Sequence, residues 1–262
     1  MHSSQAHFGA LDAFQNTKNR ETSVAQAPTH SPAPRLFVLA GTNGAGKSSI
    51  GGATIRSRGG HYFNPDEAAA RIRAEQPHLS ATQANSAAWH EGKRLLQQAI
   101  AQGLDYNFET TLGGRSFAKL LKDAAEAGFE VRIWYVGLAS PELHLARIKA
   151  RVKHGGHDIP EADVRRRFDQ SRLQLIELLP HLSELRVYDN STESSPQKGQ
   201  APQLQPVLHS KRSGPKAALE VLVPNSPQAL ARTPEWAKPI VMAAIKLAAG
   251  ARPKQSRPAK SP

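Results

Sequence analysis

The chain has 262 residues, with 34 Lys and Arg against 22 Asp and Glu, a formal charge of +12, and no cysteine. That length can bury one sizeable core with tails, the missing thiols exclude disulfide frameworks and thiolate metal sites, and no apolar run approaches the roughly 20 residues of a membrane span. From Thr192 to the end, eleven Lys and Arg face three Glu, which is +8 of the +12; charge gathered at a tail reads as a solvated segment rather than a nucleic-acid groove, so a nucleic-acid partner is not expected.

Residues 1–34, rich in Ser, Gln, Ala and Pro, read as a flexible leader with one short helix near Leu11. The first residues lack a basic stretch followed by an apolar one, so no secretory signal is read and a cytoplasmic protein is expected. From Arg35 the pattern changes. "RLFVLA" is a buried strand, a glycine turn follows, and Lys47 opens a helix. "GGHYFN" is a second strand; Ser80 caps a long helix, with Gln83 completing a capping box and Gly103 ending it. "LDYNF" is a strand, "RSFAKLLKDAAEAG" a helix, and "FEVRIWYVGL" a long strand.

Ser140 and Pro141 start the next helix, which ends at Gly155-Gly156. Another helix starts near Pro160 with Val164, Phe168, Leu175 and Leu179 on one face, and "ELRVYDN" returns as a strand. "QPVLHS" and "ALEVLV" suit a small hairpin. "TPEWAKPIVMAAIKLAAG" suits a helix capped by Thr233 that Pro239 kinks or delays. The domain is expected over residues 35–250, with a disordered basic tail over 251–262. Strands alternating with helices of this length argue for an α/β fold with a mostly parallel sheet covered on both faces.

Gly41-Thr42-Asn43-Gly44-Ala45-Gly46-Lys47-Ser48 fits G-x-x-x-x-G-K-[ST] at every fixed position, between a strand and a helix. Its glycines let successive backbone N–H groups turn toward one anion, and the helix adds its positive end. Lys47 then reaches the β and γ phosphates of ATP and the Ser48 hydroxyl supports Mg²⁺, while Ser49 has the weaker claim to nucleotide contact. The motif makes the fold a P-loop NTPase-type three-layer sandwich. No guanine-reading N-K-x-D and no apolar run ending in paired acids is found, which argues against a GTPase and a motor ATPase.

Three clusters follow the loop. Asp66, in "YFNPDEAAARI", lies at a strand-to-helix turn, where it either takes the proton of an acceptor hydroxyl or caps the helix beginning at Glu67. Glu109, with Thr110 and Thr111, ends a parallel strand, the edge where such sheets bind ligands; Glu109 could hold a substrate hydroxyl or a water on Mg²⁺, and Thr111 the acceptor. Arg147 and Arg151 precede the glycine pair, and Arg165, Arg166 and Arg167 follow it, forming a helical, arginine-bearing lid of which two or three arginines close over the transferring phosphate. His154 and His157 flank the glycines without carboxylates at ligand spacing, so lid packing is preferred to metal binding.

In this order, "AGTNGAGKSS", "FNPDEAA", "FETTLGG", "GLASPELHLAR", "RVKHGGHDIPE" and "VYDNS" resemble the zeta toxin family of P-loop kinases over roughly residues 36–191, with "TPEWAKPI" a further similar stretch. The resemblance implies an ATP- and Mg²⁺-dependent kinase that phosphorylates the 3′-hydroxyl of UDP-N-acetylglucosamine in a toxin-like role, with an antitoxin as protein partner. It implies Lys47 and Ser48 on ATP and Mg²⁺, Asp66 as general base, and Glu109 and Thr111 on the sugar nucleotide. Arg151 would bind phosphates, joined from the following run by Arg165 and Arg167. The "GGHDIPE" lid departs from that of the plasmid toxins, which bears on the acceptor more than on the chemistry. The same site acting on a polynucleotide end, or an ATP-dependent module that only binds, are the competing readings.

Overall fold

The computed structural model of the protein describes residues 32–48, 62–156, 158–192, 204–214 and 217–250. Residues 1–31 of the leader, the tail, Ser49, His157 and most of the helix expected after Lys47 lie outside the described residues.

Six strands form one sheet: β1 (Arg35–Ala40), β2 (Tyr106–Thr110), β3 (Glu130–Gly137), β4 (Glu184–Asp189), β5 (Gln205–Lys211) and β6 (Glu220–Val223), in the order β2-β1-β3-β4-β5-β6. The first four run parallel. Leu36 pairs with Tyr106 and Val131, and Ala40 with Thr110 and Tyr135, so the carboxyl ends of β1, β2 and β3 align. The chain leaves β1 for β2 on one side and returns past it to β3 on the other. That reversal opens a crevice at the carboxyl ends of the strands, where ligands of open α/β sheets bind.

The sheet is buried on both faces, as its apolar strands require. Leu36, Val38 and Ala40 face one core with Phe108, Ile133, Leu185 and Val187, while the alternate residues Leu39 and Val136 join Ala45 and Leu138 on the other. Around it pack α1 (Pro65–Glu75), α2 (Ala81–Gln102), α3 (Arg115–Glu126), α4 (Pro141–Val152), α5 (Glu161–Leu178), the short α6 (Pro227–Ala231) and α7 (Lys238–Gly250).

Local chemistry sets the helix ends. Ser80 and Gln83 form the expected capping box, and Gly103 closes α2 at φ 66°, a left-handed conformation that favours glycine. The Ser140 hydroxyl caps α4, with Pro141 in its first turn. That helix stops at Val152, and Gly155, at φ 83°, ends the turn that follows.

Two expectations change and a third widens. Of "GGHYFN", the described part contributes only Phe63, a single parallel bridge to Phe108. The expected hairpin forms, β5 pairing antiparallel with β6, and it also extends the main sheet because β5 pairs antiparallel with β4. Thr233 is not the cap, because a 3-10 turn at Glu235–Ala237 begins after Pro234 and α7 follows, leaving Pro239 in the first turn of α7, where its missing N–H costs nothing. The turn carries Trp236, whose ring lies where a side chain on Gly137 would be (2.3 Å) and whose Nε1–H donates to Asp189 at 3.3 Å. The C-terminal segment is thereby locked against the ends of β3 and β4.

Candidate active site

The phosphate loop leaves β1 with no freedom to spare. A Cβ on Gly41, at φ 138°, would lie 2.1 Å from the Val136 carbonyl oxygen, so only glycine lets the loop hug β3. Its outward carbonyls are held from several sides. The Asn190 amide donates to the Ala45 carbonyl at 2.9 Å, and His144 Nδ1 meets the Asn43 carbonyl at 2.7 Å. Because a carbonyl only accepts, that imidazole carries its proton on Nδ1. Burial, opposed by this hydrogen bond and reinforced by the charge of Lys47, pushes the His144 pKa down to about 4, so the ring is neutral near pH 7.

Lys47 and Glu109 face each other beneath the loop, 3.5 Å apart, with side chains 5% and 8% exposed. The lysine also donates to the Thr42 carbonyl at 3.4 Å. Glu109 accepts from the Ser48 hydroxyl at 2.8 Å and from the Tyr62 hydroxyl at 2.6 Å, and the Asn64 amide donates to Ser48 at 3.3 Å. A buried carboxylate is tolerable only with such partners. The hydroxyl and carboxylate oxygens at Ser48 and Glu109 suit Mg²⁺, which takes one or two protein oxygens and leaves the rest of its sphere to phosphate and water. No group of three or more metal-ligating side chains occurs among the described residues.

Beside this network opens a cavity of about 630 Å³ between α1, α2, the loop after β2 and the start of α5. Asp66, Glu109, Thr111, Trp89 and Arg167 are in its wall. Asp66 does not cap α1. Asn64 does, its side-chain oxygen accepting from the N–H groups of Asp66 at 2.9 Å and Glu67 at 3.4 Å. The Asp66 carboxylate is therefore left to the cavity, about half exposed, 3.5 Å from Arg151. Thr111 accepts from the Gly113 N–H at 3.4 Å, and Gly113 has room for nothing more, since a Cβ there would meet the Arg167 side chain at 2.8 Å.

The arginines divide. Arg167 reaches the phosphate loop, donating to the Asn43 side chain at 2.9 Å, while its own carbonyl accepts from the Thr42 hydroxyl at 3.3 Å. Arg165 lies outside the cavity wall and pairs on the surface with Glu142 at 2.7 Å and Glu161 at 2.8 Å, which raises its pKa. Arg166 pairs with Asp163, and Arg147 donates to the Asn190 carbonyl at 2.7 Å. The arrangement therefore brings together Lys47, Ser48, Glu109, Asp66, Arg151 and Arg167 and leaves Arg165 apart.

Sequence reasoning missed Tyr62, Asn64, His144, Asn190 and Trp89. Asn64 alone had a readable signal: an asparagine before Pro65 at a helix start is a favoured cap, which would have freed Asp66 from that role.

A family model described as Zeta toxin matches residues 18–195. A relative from Haemophilus influenzae, described as an uncharacterized protein, is 39% identical over 138 residues, covering 51% of this chain and 92% of that one. Among solved structures, the AvrRxo1-ORF1:-ORF2 complex with ATP is similar at a TM-score of 0.52 and 17% identity, over 68% of this chain and 58% of that chain. The same pair with sulphate ions gives 0.54 and 16%, over 83% and 75%. At these identities the structural likeness is one of fold.

Proposed function

The chain belongs to the zeta toxin family, and from that premise we propose that it is an ATP-dependent kinase that transfers the γ-phosphate to the 3′-hydroxyl of UDP-N-acetylglucosamine. The observation that carries the reading is Asp66: a carboxylate released from helix capping by Asn64, in the wall of a substrate-sized cavity that also reaches Glu109 and the phosphate loop.

In this mechanism Lys47 and the loop N–H groups hold the β and γ phosphates of ATP. Mg²⁺, when bound, neutralises phosphate charge, and Ser48 and Glu109 supply its protein oxygens. The acceptor occupies the cavity with its hydroxyl toward Asp66. Its oxygen forms a bond to the γ-phosphorus as the bond to the bridging oxygen of ADP breaks, and its proton passes to the Asp66 carboxylate. Arg151 leaves Asp66 and Arg167 leaves Asn43 to meet the charge on the moving phosphoryl group, which frees Asp66 to act as base. Thr111 contacts the acceptor. The proposal includes a cytoplasmic site of action and an antitoxin that restrains the enzyme. No helix among the described residues is long and apolar enough to cross a membrane.

The test is ATP consumption by purified protein with UDP-N-acetylglucosamine, nicotinamide dinucleotides, nucleosides and oligonucleotides as acceptors. Turnover with the sugar nucleotide, yielding a product heavier by one phosphate, is expected. Turnover with another compound alone would keep the kinase and remove this acceptor.

A further inference from the structure

The phosphate loop has to present N–H groups inward, and in a planar trans peptide the N–H points opposite to the carbonyl of the residue before it. Pinning the Asn43 carbonyl outward therefore aims the Gly44 N–H inward, and pinning the Ala45 carbonyl does the same for Gly46. Among the described residues, a side-chain donor meets each of these two carbonyls: His144 Nδ1 at 2.7 Å on Asn43 and Asn190 Nδ2 at 2.9 Å on Ala45. Gly44 and Gly46, at φ 81° and 90°, have backbones with little intrinsic preference to hold that orientation unaided.

We propose that His144 is a positioning residue of the nucleotide site: its Nδ1–H fixes the Asn43–Gly44 peptide so that the Gly44 N–H faces the phosphate before ATP arrives. The inference rests on the kinase reading above and adds to it a residue that touches neither substrate. His144 is built for this. It is 1% exposed in α4, its ring packs edge-on against Phe168 at 5.7 Å, and its own carbonyl lies 2.8 Å from where a Gly44 side chain would begin. The pin and the loop are thus pressed together by backbone contact as well as by the hydrogen bond. Asn43 is also held through its side chain by Arg167, so loosening its backbone loosens the resting place of a lid arginine.

Substitution separates positioning from packing. In His144→Asn the side-chain Nδ2 falls where Nδ1 was and can still donate; in His144→Gln the amide falls nearer to Nε2 and cannot reach; His144→Leu fills the space without a donor. Asparagine leaves the largest void, so a purely structural role ranks it worst. The inference ranks it best: ATP–Mg²⁺ affinity, read by calorimetry without acceptor, stays within about 3-fold of wild type in His144→Asn and falls about tenfold or more in His144→Gln and His144→Leu. Melting temperature is read alongside and is expected to follow volume instead. Equal affinity in all three variants, or a ranking that follows melting temperature, overturns the inference. Wild-type protein that does not bind ATP overturns the kinase reading and the inference together, which distinguishes the two failures.

Discussion

On the nucleotide side of the site, polar groups already have partners: Lys47 and Glu109 are paired and buried, Ser48 and Tyr62 donate to the same carboxylate, and His144 and Asn190 hold the loop carbonyls. On the acceptor side, Asp66 is half exposed, Trp89 is 38% exposed, and the space between α2 and α5 is open. One half is pre-organised for a ligand whose shape is constant, a polyphosphate. In the proposed reaction, the other is a container whose fit would be completed by the acceptor and by movement of Arg151 and Arg167 from Asp66 and Asn43. The contrast explains why the reaction type follows from the chain more directly than the acceptor does.

If the nucleotide half is pre-built, its central charge carries the largest effect. Lys47→Met is expected to lower turnover by about 10²- to 10³-fold, in the range for removing one pre-placed group from developing charge, with loss of ATP affinity as well. A steady-state assay beside a binding isotherm checks this. Retained affinity would break the contrast by showing that the loop does not depend on its lysine.

A smaller effect concerns pH. The His144 pKa in the folded protein, about 4, lies below its ordinary value of 6.5. The unfolded chain therefore binds the proton more readily, and the stabilisation is complete above about pH 6.5 and lost as pH falls toward 4. Its ceiling is about 3 kcal/mol. Denaturant midpoints at pH 7 and pH 4.5 read it, as the difference between wild type and His144→Asn, because carboxylates elsewhere contribute equally to both. An identical acid dependence in the two proteins would contradict the neutral, buried pin.

Much of this was legible in the chain. The strand and glycine turn from Arg35 to Gly46, the Ser80 and Gln83 box and the Ser140-Pro141 start are local rules, and local rules survive folding. What stayed hidden was long-range or rotational. His144 finds Asn43 across 101 residues, and nothing in "SPELH" marks that histidine. Arg165 and Arg167 stand about 200° apart on α5, on opposite flanks of the stripe formed by Val164, Phe168 and Leu175. The stripe shows which face is buried, yet only tertiary packing reveals which flank meets the loop, and it is that of Arg167. The hairpin was visible as the two runs "QPVLHS" and "ALEVLV", but a pairing between neighbours does not say which sheet edge it joins.

The most direct test of the central claim, that a pre-built nucleotide half works with a separate acceptor base, is Asp66→Ala measured for ATP affinity and for acceptor-dependent turnover in the same preparation. The account predicts turnover lower by about 10²- to 10⁴-fold with ATP affinity essentially unchanged. Turnover that survives the substitution would contradict it.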